Sequence, residues 1–146
     1  MMKSRIFIIF YLLLTTFTIL SCKDEVAAVI TDESVKDITG TWKVVSLTRN
    51  GEELAQRIDL SKFKITFKPD GTYTLQDKLA FAVAGGGSYK LNDPQYPYSV
   101  VLTEQGKTAK SVKFQFPVIE GKRQISLTLS PGCTGNTYQY NFVKEN

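Results

Sequence analysis

From Gly40 onward apolar and polar residues alternate, the pattern of strands that bury one face. Phe63, Ile65 and Phe67 share one face of such a strand, and lysine and threonine residues occupy the other. The same alternation predicts seven further strands: Tyr73 and Leu75; Leu79, Phe81 and Val83; Tyr89 and Leu91; Tyr98, Val100 and Leu102; Val112, Phe114, Phe116 and Val118; Ile125, Leu127 and Leu129; Tyr138, Tyr140 and Phe142. With the first strand around Trp42, the pattern predicts eight or nine strands.

Turn residues separate these segments. Pro69-Asp70-Gly71 predicts a tight turn, because proline fixes φ and Asp-Gly tolerates positive φ, and Glu120-Gly121-Lys122 predicts a second hairpin turn. The glycine run at 85–87 predicts a sharp strand bend or a mobile lip, since it lacks the helix and the lysine of a phosphate-binding loop. The one helical candidate is short, Glu52–Ile58. Long βαβ spacings are missing, which excludes a doubly wound sheet.

The fold class is therefore all-β, and two architectures satisfy the pattern. One is a single antiparallel eight- or nine-stranded up-and-down barrel; the alternative is a two-sheet β-sandwich. Short turns between successive strands favour the barrel. In the first strand the apolar residues switch faces partway along: Trp42 and Val44 lie on one face, and Val45 and Leu47 on the other. Either a bulge near Val44–Val45 reconciles them, or part of the strand is covered on both sides.

The first 21 residues have the composition of a secretory signal peptide. Lys3 and Arg5 precede the apolar run Ile6–Leu20, and the small residue Ser21 follows it. This run of 15 residues is shorter than the roughly 20 that a transmembrane helix requires. We therefore expect export and cleavage rather than a membrane span.

The tetrad Ile19-Leu20-Ser21-Cys22 resembles the lipobox of bacterial lipoproteins. The resemblance implies that Cys22 is acylated and that the mature chain is held on a membrane by lipid. Lys23, Asp24 and Glu25 resemble the short tag that sends bacteroidete lipoproteins to the cell surface, although any solvated linker carries such charges. These resemblances predict an outer-membrane protein facing the exterior, with a signal peptide at 1–21, a tether at 22–38 and a barrel domain at 39–146.

Composition limits the chemistry available to this domain. The formal charge is +4, and +2 without the leader. A positive charge this small does not indicate a nucleic-acid-binding protein. The sequence contains no histidine, and lipidation of Cys22 leaves Cys133 as the only thiol. Cys133 is either a packed loop residue or a reactive thiol. Because the carboxylates sit mostly at turns, we expect no catalytic residues, no metal site and no cofactor.

Gly40-Thr41-Trp42 matches the Gly-x-Trp that begins the first strand of lipocalins. The segment 65–74 resembles the second hairpin of lipocalin-like bacteroidete lipoproteins, and the segment 132–140 is similar to one branch of that group with no assigned function. The resemblance covers residues 38–144 and implies a calycin-type barrel. It also implies a basic residue over the first-strand indole. Here that residue is Lys144, which either lies over Trp42 or is an exposed strand-end lysine.

Two sets of aromatic residues are candidates for binding. The inward set is either ligand lining or ordinary core; it consists of Trp42, Phe63, Phe67, Tyr73, Phe81, Tyr89, Phe114, Phe116, Tyr138 and Tyr140. Tyr96 and Tyr98, in a proline-stiffened loop, either form a stacking platform for a sugar or a partner, or fold back onto the barrel rim.

These features favour a non-enzymatic, lipid-anchored lipocalin-like module that binds a small hydrophobic or aromatic-stacking ligand in the barrel mouth. The alternative is a filled barrel or sandwich that serves as a protein- or glycan-interaction module of an outer-membrane complex. An open apolar cavity of a few hundred Å³ would favour the first hypothesis, and a side-chain-filled interior the second.

Overall fold

A computed structural model describes residues 33–80, 82–132 and 135–145. These residues contain ten strands and one 3-10 turn at Leu60–Lys62. The strands are β1 Gly40–Arg49, β2 Glu52–Glu53, β3 Lys64–Phe67, β4 Thr72–Leu75, β5 Gly87–Leu91, β6 Ser99–Glu104, β7 Lys110–Gln115, β8 Val118–Ile119, β9 Lys122–Leu129 and β10 Tyr138–Lys144. Eight of them form the wall of a barrel, whereas β2 pairs only with β1 and β8 only with β9.

The barrel is closed by the last strand. β10 pairs antiparallel with both β9 and β1, so that Tyr140 lies opposite Leu127 on one side and Leu47 on the other. The remaining wall strands follow in chain order from β1 to β9. This closed antiparallel meander confirms the predicted up-and-down barrel and excludes the sandwich.

The switch of faces in β1 is a bulge. The pairing with β10 shifts register between Val44 and Ser46, and Val45 is exposed. Val44 and Leu47 are both buried, so the extra residue returns the apolar side chains after it to the barrel interior. The predicted bulge is confirmed.

Side chains from every wall strand except β5 form the fully buried part of the barrel interior. The largest are Trp42, Tyr73, Tyr140, Phe67, Phe114 and Phe142, each less than 2% exposed. Aliphatic residues such as Ile65, Val100, Leu102 and Ile125 fill the space between them. The side chains that point into the barrel are thus apolar, in agreement with the alternation of apolar and polar residues along each strand.

Two predicted elements are wrong. The segment Glu52–Ile58 is not a helix: Glu52–Glu53 pair with β1, and only a single turn follows, in which Ile58 N donates to Leu54 O at 3.1 Å. The segment 79–83 is not a wall strand, because Leu79 and Val83 form an isolated bridge with each other. Ala82 N and Val83 N both donate to Leu79 O, which makes this segment a tight turn.

The predicted hairpin at Glu120-Gly121 is confirmed, with positive φ at both residues. It joins β8 to β9, so Val118 belongs to this short hairpin rather than to the strand before it. The glycine run at 85–87 leads into β5. A Cβ on Gly87 would lie 1.9 Å from Thr103 O, so only glycine allows β5 to approach β6 this closely.

The strand directions define two ends of the barrel. The barrel floor is the end where β1 begins and where β3, β5, β7 and β10 finish. The barrel mouth is the opposite end, carrying the loops 50–63, 76–86, 105–109 and 130–137. The segment before β1 therefore joins the domain at the floor.

Candidate functional site

Trp42 and its neighbours close the barrel floor. The indole is 1% exposed, and its Nε1 donates to Ile38 O at 2.8 Å. Ile38 is itself buried, and the Phe116 ring meets the indole edge-on with centroids 5.9 Å apart. Lys144 lies opposite Trp42 in the β1–β10 ladder, with its Nζ 5.8 Å from the ring centroid. Lys144 is thus both an exposed strand-end residue and a cation over the indole.

Gly40 makes room for the aliphatic part of Lys144. Its φ is +114°, and a Cβ built there would lie 2.7 Å from Lys144 Cε. A larger residue would need both a strained backbone and a displaced lysine. The close approach of Lys144 therefore explains why the residue two positions before Trp42 is glycine in this barrel.

Most of the predicted ligand lining is packed core. Trp42, Phe67, Tyr73, Phe114 and Tyr140 are fully buried, and Tyr138 is 9% exposed. Half-buried members of the set pack around them: Phe63, Tyr89 and Phe116. Phe81 lies outside the described residues.

The hydroxyl groups of the inward tyrosines differ in their partners. Tyr140 donates to Ala80 O at 2.9 Å, and Tyr89 donates to Lys68 O at 3.0 Å. The Tyr73 hydroxyl is buried and finds no hydrogen-bond acceptor among the described residues. Burial raises the pKa of Tyr140 to about 12, and burial together with the nearby Glu104 charge raises that of Tyr73 to about 12. Both phenols are therefore neutral over the physiological range.

The mouth segment, residues 76–86, folds over the end of the barrel. At 11 residues it is longer than an ordinary hairpin loop, and Leu79, Ala82 and Val83 in it are buried. Hydrogen bonds from three wall strands hold it. They are Tyr140 hydroxyl to Ala80 O at 2.9 Å, Lys110 Nζ to Ala82 O at 2.7 Å, and Ala84 N to Glu104 Oε2 at 3.1 Å.

Above the mouth segment lies a cavity of about 350 Å³, called here the mouth cavity. Its apolar side consists of Leu79, Ala80, Ala82, Val83 and Ala84, and its charged side of Lys78, Glu104, Lys107 and Lys110. Glu104 accepts a hydrogen bond from Lys107 Nζ at 2.6 Å, which with the Ala84 amide lowers its pKa. Three lysines against one carboxylate give the cavity a net positive charge.

The residues of the mouth cavity were not singled out from the sequence. Lys78, Lys107 and Lys110 look like ordinary charges of exposed turns. The available signal was the length between β4 and β5, combined with small apolar residues, Ala80, Ala82 and Ala84, in a segment predicted as a strand. A strand facing solvent on one side rarely carries so little polar surface.

Tyr96 and Tyr98 lie on the loop between β5 and β6, at the barrel floor. They are 58% and 71% exposed. Asp93 Oδ1 accepts from Tyr96 N at 2.9 Å, and Asn92 Oδ1 accepts from Tyr98 N at 3.0 Å. These local hydrogen bonds fix the backbone that presents both rings.

Carboxylates of the described residues serve local structure. Asp59, Asp70 and Asp93 each accept from a backbone amide two residues ahead. Their pKa values are lowered mainly by the hydroxyl of Ser61, the hydroxyl of Thr72 and the amide of Tyr96, respectively, with those amides contributing further. Within the described ranges, no three acidic or cysteine side chains converge in a way that could hold a metal ion.

The proposed lipidation and targeting residues lie in the part of the chain that the structure does not describe. These are Cys22, Lys23, Asp24 and Glu25, and Cys133 is likewise outside it. No helix of the described part is long and apolar enough to cross a membrane.

The fold and its packed interior define a small closed antiparallel barrel domain. Residues 16–143 match the model of a family described as a domain of unknown function, DUF5004. Since the match spans most of the chain, the protein belongs to this family. No curated protein and no solved structure matches the chain.

Proposed function

We propose that this protein is a non-enzymatic lipoprotein, held by acylated Cys22 in the outer membrane and facing the exterior, whose lipocalin-like barrel binds a small amphipathic ligand in the mouth cavity. The apolar run before Cys22 and the charged residues after it support the anchoring. The closed eight-stranded meander with Lys144 over Trp42 supports the kinship with lipocalins. The mouth cavity supports the binding.

The mouth cavity is the observation that carries the binding proposal. Its volume of about 350 Å³ is at the lower end for ligand pockets. Ala80 and Ala84 offer exposed apolar contact over the buried Leu79 and Val83, while Lys107 and Lys110 border the same space. A ligand with a short hydrocarbon part and one acidic group would contact the apolar side with the former and the lysines with the latter.

The packed interior counts against a ligand inside the barrel and leaves the mouth cavity as the site for one. Phe67, Tyr73, Phe114 and Tyr140 fill the barrel axis with side chains that are at most 1% exposed. The mouth segment separates them from solvent, and its Leu79 is also 1% exposed. Binding between those aromatic rings would require displacement of the segment, whereas binding above it requires none.

Titration of the protein with decanoate and with decanol, by calorimetry, tests this proposal. The two probes share the hydrocarbon part and differ in charge. We expect decanoate to bind at least about tenfold more tightly, the effect of one charge-assisted contact. The variant Lys78→Gln/Lys107→Gln should remove most of that difference, and the control Lys90→Gln, on the outer wall of β5, should retain it. Equal affinities for both probes would exclude the charged side of the cavity from recognition.

A second candidate is an interaction module of an outer-membrane protein or glycan complex. The high exposure of Tyr96 and Tyr98 on a fixed loop favours it. Recovery of intact surface complexes by the native chain and by Tyr96→Ala/Tyr98→Ala provides the comparison. Unchanged recovery would remove these tyrosines from any such contact.

A further inference from the structure

Exposed apolar side chains of this domain are concentrated at the barrel floor. Among the described residues six large hydrophobic side chains are exposed, and five of them belong to segments at this end. We call these five the floor patch: Val35, Tyr96, Tyr98, Val118 and Ile119. The sixth, Val45, sits on the bulge of β1. Exposed large hydrophobic side chains thus distinguish the barrel floor from the walls.

The segments that carry the floor patch are joined to one another. Lys36 N donates to Pro94 O at 2.7 Å, which fixes the segment before β1 against the tyrosine loop. Tyr98 O accepts from Phe114 N at 2.8 Å, which ties that loop to β7 and the hairpin beyond it. The segments that carry the floor patch are therefore held beside one another at the barrel floor.

The chain enters the domain at the barrel floor, beside the floor patch. Glu33 is 11 residues after Cys22, so an extended chain between them spans at most about 40 Å. If Cys22 is in the membrane, the domain is tethered through its floor end.

The side chains of the floor patch have the chemistry of a bilayer interface. Tyrosine places an apolar ring and a polar hydroxyl across the headgroup layer, where it is enriched in membrane proteins. Val118 and Ile119 add aliphatic surface on one strand of a hairpin whose turn is Glu120-Gly121. The opposite strand begins with Lys122 and Arg123, two exposed cations suited to lipid phosphates. Because the backbone of the tyrosine loop is already fixed, little conformational entropy is lost on contact.

We propose that the floor patch docks on the phospholipid surface to which the chain is tethered, so that the barrel stands on its floor with the mouth cavity directed away from the membrane. This inference rests on the proposed lipid anchor at Cys22. It assigns Tyr96 and Tyr98 to the bilayer rather than to a protein partner. It also orients the proposed ligand site toward the surroundings.

Depth-dependent fluorescence quenching tests the proposal on the full acylated chain. The chain is reconstituted in vesicles of phosphatidylethanolamine and phosphatidylglycerol whose acyl chains carry bromine near the headgroups. Ile119→Trp reports on the floor patch, and Val45→Trp is the matched control on the wall; buried Trp42 is a common background. Interfacial side chains lie about 5–10 Å into the headgroup boundary, so we expect at least about twofold stronger quenching of Ile119→Trp than of Val45→Trp.

Replacing Tyr96 and Tyr98 by serine in the Ile119→Trp chain should reduce this quenching. Equal quenching at positions 119 and 45 would overturn the proposal. So would an Ile119→Trp signal that stays unquenched in vesicles and shifts only when outer-membrane protein complexes are added, because the occupant would then be a protein.

Failure of the anchor is measured separately. Mass spectrometry of the purified chain reports acylation of Cys22. If the acyl mass is missing, the anchoring proposal fails, and docking is then tested with the same unacylated chain at high lipid concentration. Selective quenching of Ile119→Trp under those conditions would support docking, and its loss would overturn it.

Discussion

Lys144 and Trp42 face each other across the strand pair that closes the barrel, with the ammonium 5.8 Å from the centre of the indole. This contact joins the last strand to the first at the barrel floor. Trp42 is fully buried while Lys144 remains exposed. The lysine therefore covers the indole with its aliphatic stem and keeps its charge in water.

Loss of the Lys144 charge should weaken the floor. We expect Lys144→Met to lower the free energy of unfolding by about 0.5–1 kcal/mol, the value of an exposed cation–π contact, while Lys144→Arg retains it. Urea unfolding followed by Trp42 fluorescence measures the change. Lys43→Met, which removes an exposed charge from the adjacent position of the same strand pair, is the control. Equal losses in Lys144→Met and Lys43→Met would show that the contact adds nothing beyond net charge.

Two buried tyrosines should respond in opposite ways to removal of the hydroxyl. Tyr140→Phe removes the bond to Ala80 O and should cost about 1 kcal/mol, with faster proteolysis of the mouth segment. Tyr73→Phe removes a buried hydroxyl without an acceptor among the described residues and should be neutral or stabilising. Thermal unfolding and limited proteolysis check both. A loss of stability in Tyr73→Phe equal to that in Tyr140→Phe would contradict the assignment.

The same tyrosines predict alkaline sensitivity. Their pKa values in the folded state are raised to about 12 from an ordinary value of 10, so the neutral phenol is favoured by folding. Stability from these groups is complete below pH 10 and is lost as pH rises toward 12. The double variant Tyr73→Phe/Tyr140→Phe should lose less stability over this range than the native chain. Parallel pH profiles for the two proteins would argue against the burial effect.

Gly87 should be intolerant of any side chain. A Cβ there would lie 1.9 Å from Thr103 O, so Gly87→Ala must push β5 away from β6 and should cost about 1–3 kcal/mol or more. Gly85→Ala is the matched control, because its Cβ would make only an ordinary 3.8 Å contact with Glu104. Chemical unfolding of both variants measures the difference. Similar stabilities would show that β5 can shift freely.

Glu53 should contribute to acid stability. Its carboxylate accepts from Ser46 Oγ at 2.7 Å and from the amides of Leu47, Leu54 and Ala55, and these hydrogen bonds lower its pKa, that from Ser46 most. A depressed pKa gives stability that is present above the ordinary value near 4.5 and is lost as pH falls through the folded-state value.

Glu53→Gln should therefore be less stable than Glu52→Gln at neutral pH, and the difference should shrink in acid. Unfolding midpoints at several pH values provide the test. A pH-independent difference would assign the effect to packing instead.

The wall of the barrel could be predicted from the sequence because its residues obey a local rule. Alternation at Phe63, Ile65 and Phe67 or at Tyr138, Tyr140 and Phe142 directly reports which side is buried. The bulge in β1 was also visible, since Val44 and Val45 break the alternation. The turn residues Glu120-Gly121 located the hairpin between β8 and β9.

The mouth could not be predicted in the same way. Leu79 and Val83 alternate like strand residues, yet they are buried by covering the barrel end rather than by joining its wall. What holds this segment is distant in sequence, as in the bond between Tyr140 and Ala80. The position of Lys107 and Lys110 beside it depends on those tertiary contacts.

The pairing of β10 with β1 has a consequence for how the chain acquires its fold. Trp42 meets Lys144, which follows it by 102 residues, so the ring can close only after β10 has emerged. Until then β1 and β9 are unprotected edges, open to pairing with other molecules. A stop codon in place of Tyr138, which removes β10, should therefore produce aggregation rather than a slightly shorter native domain.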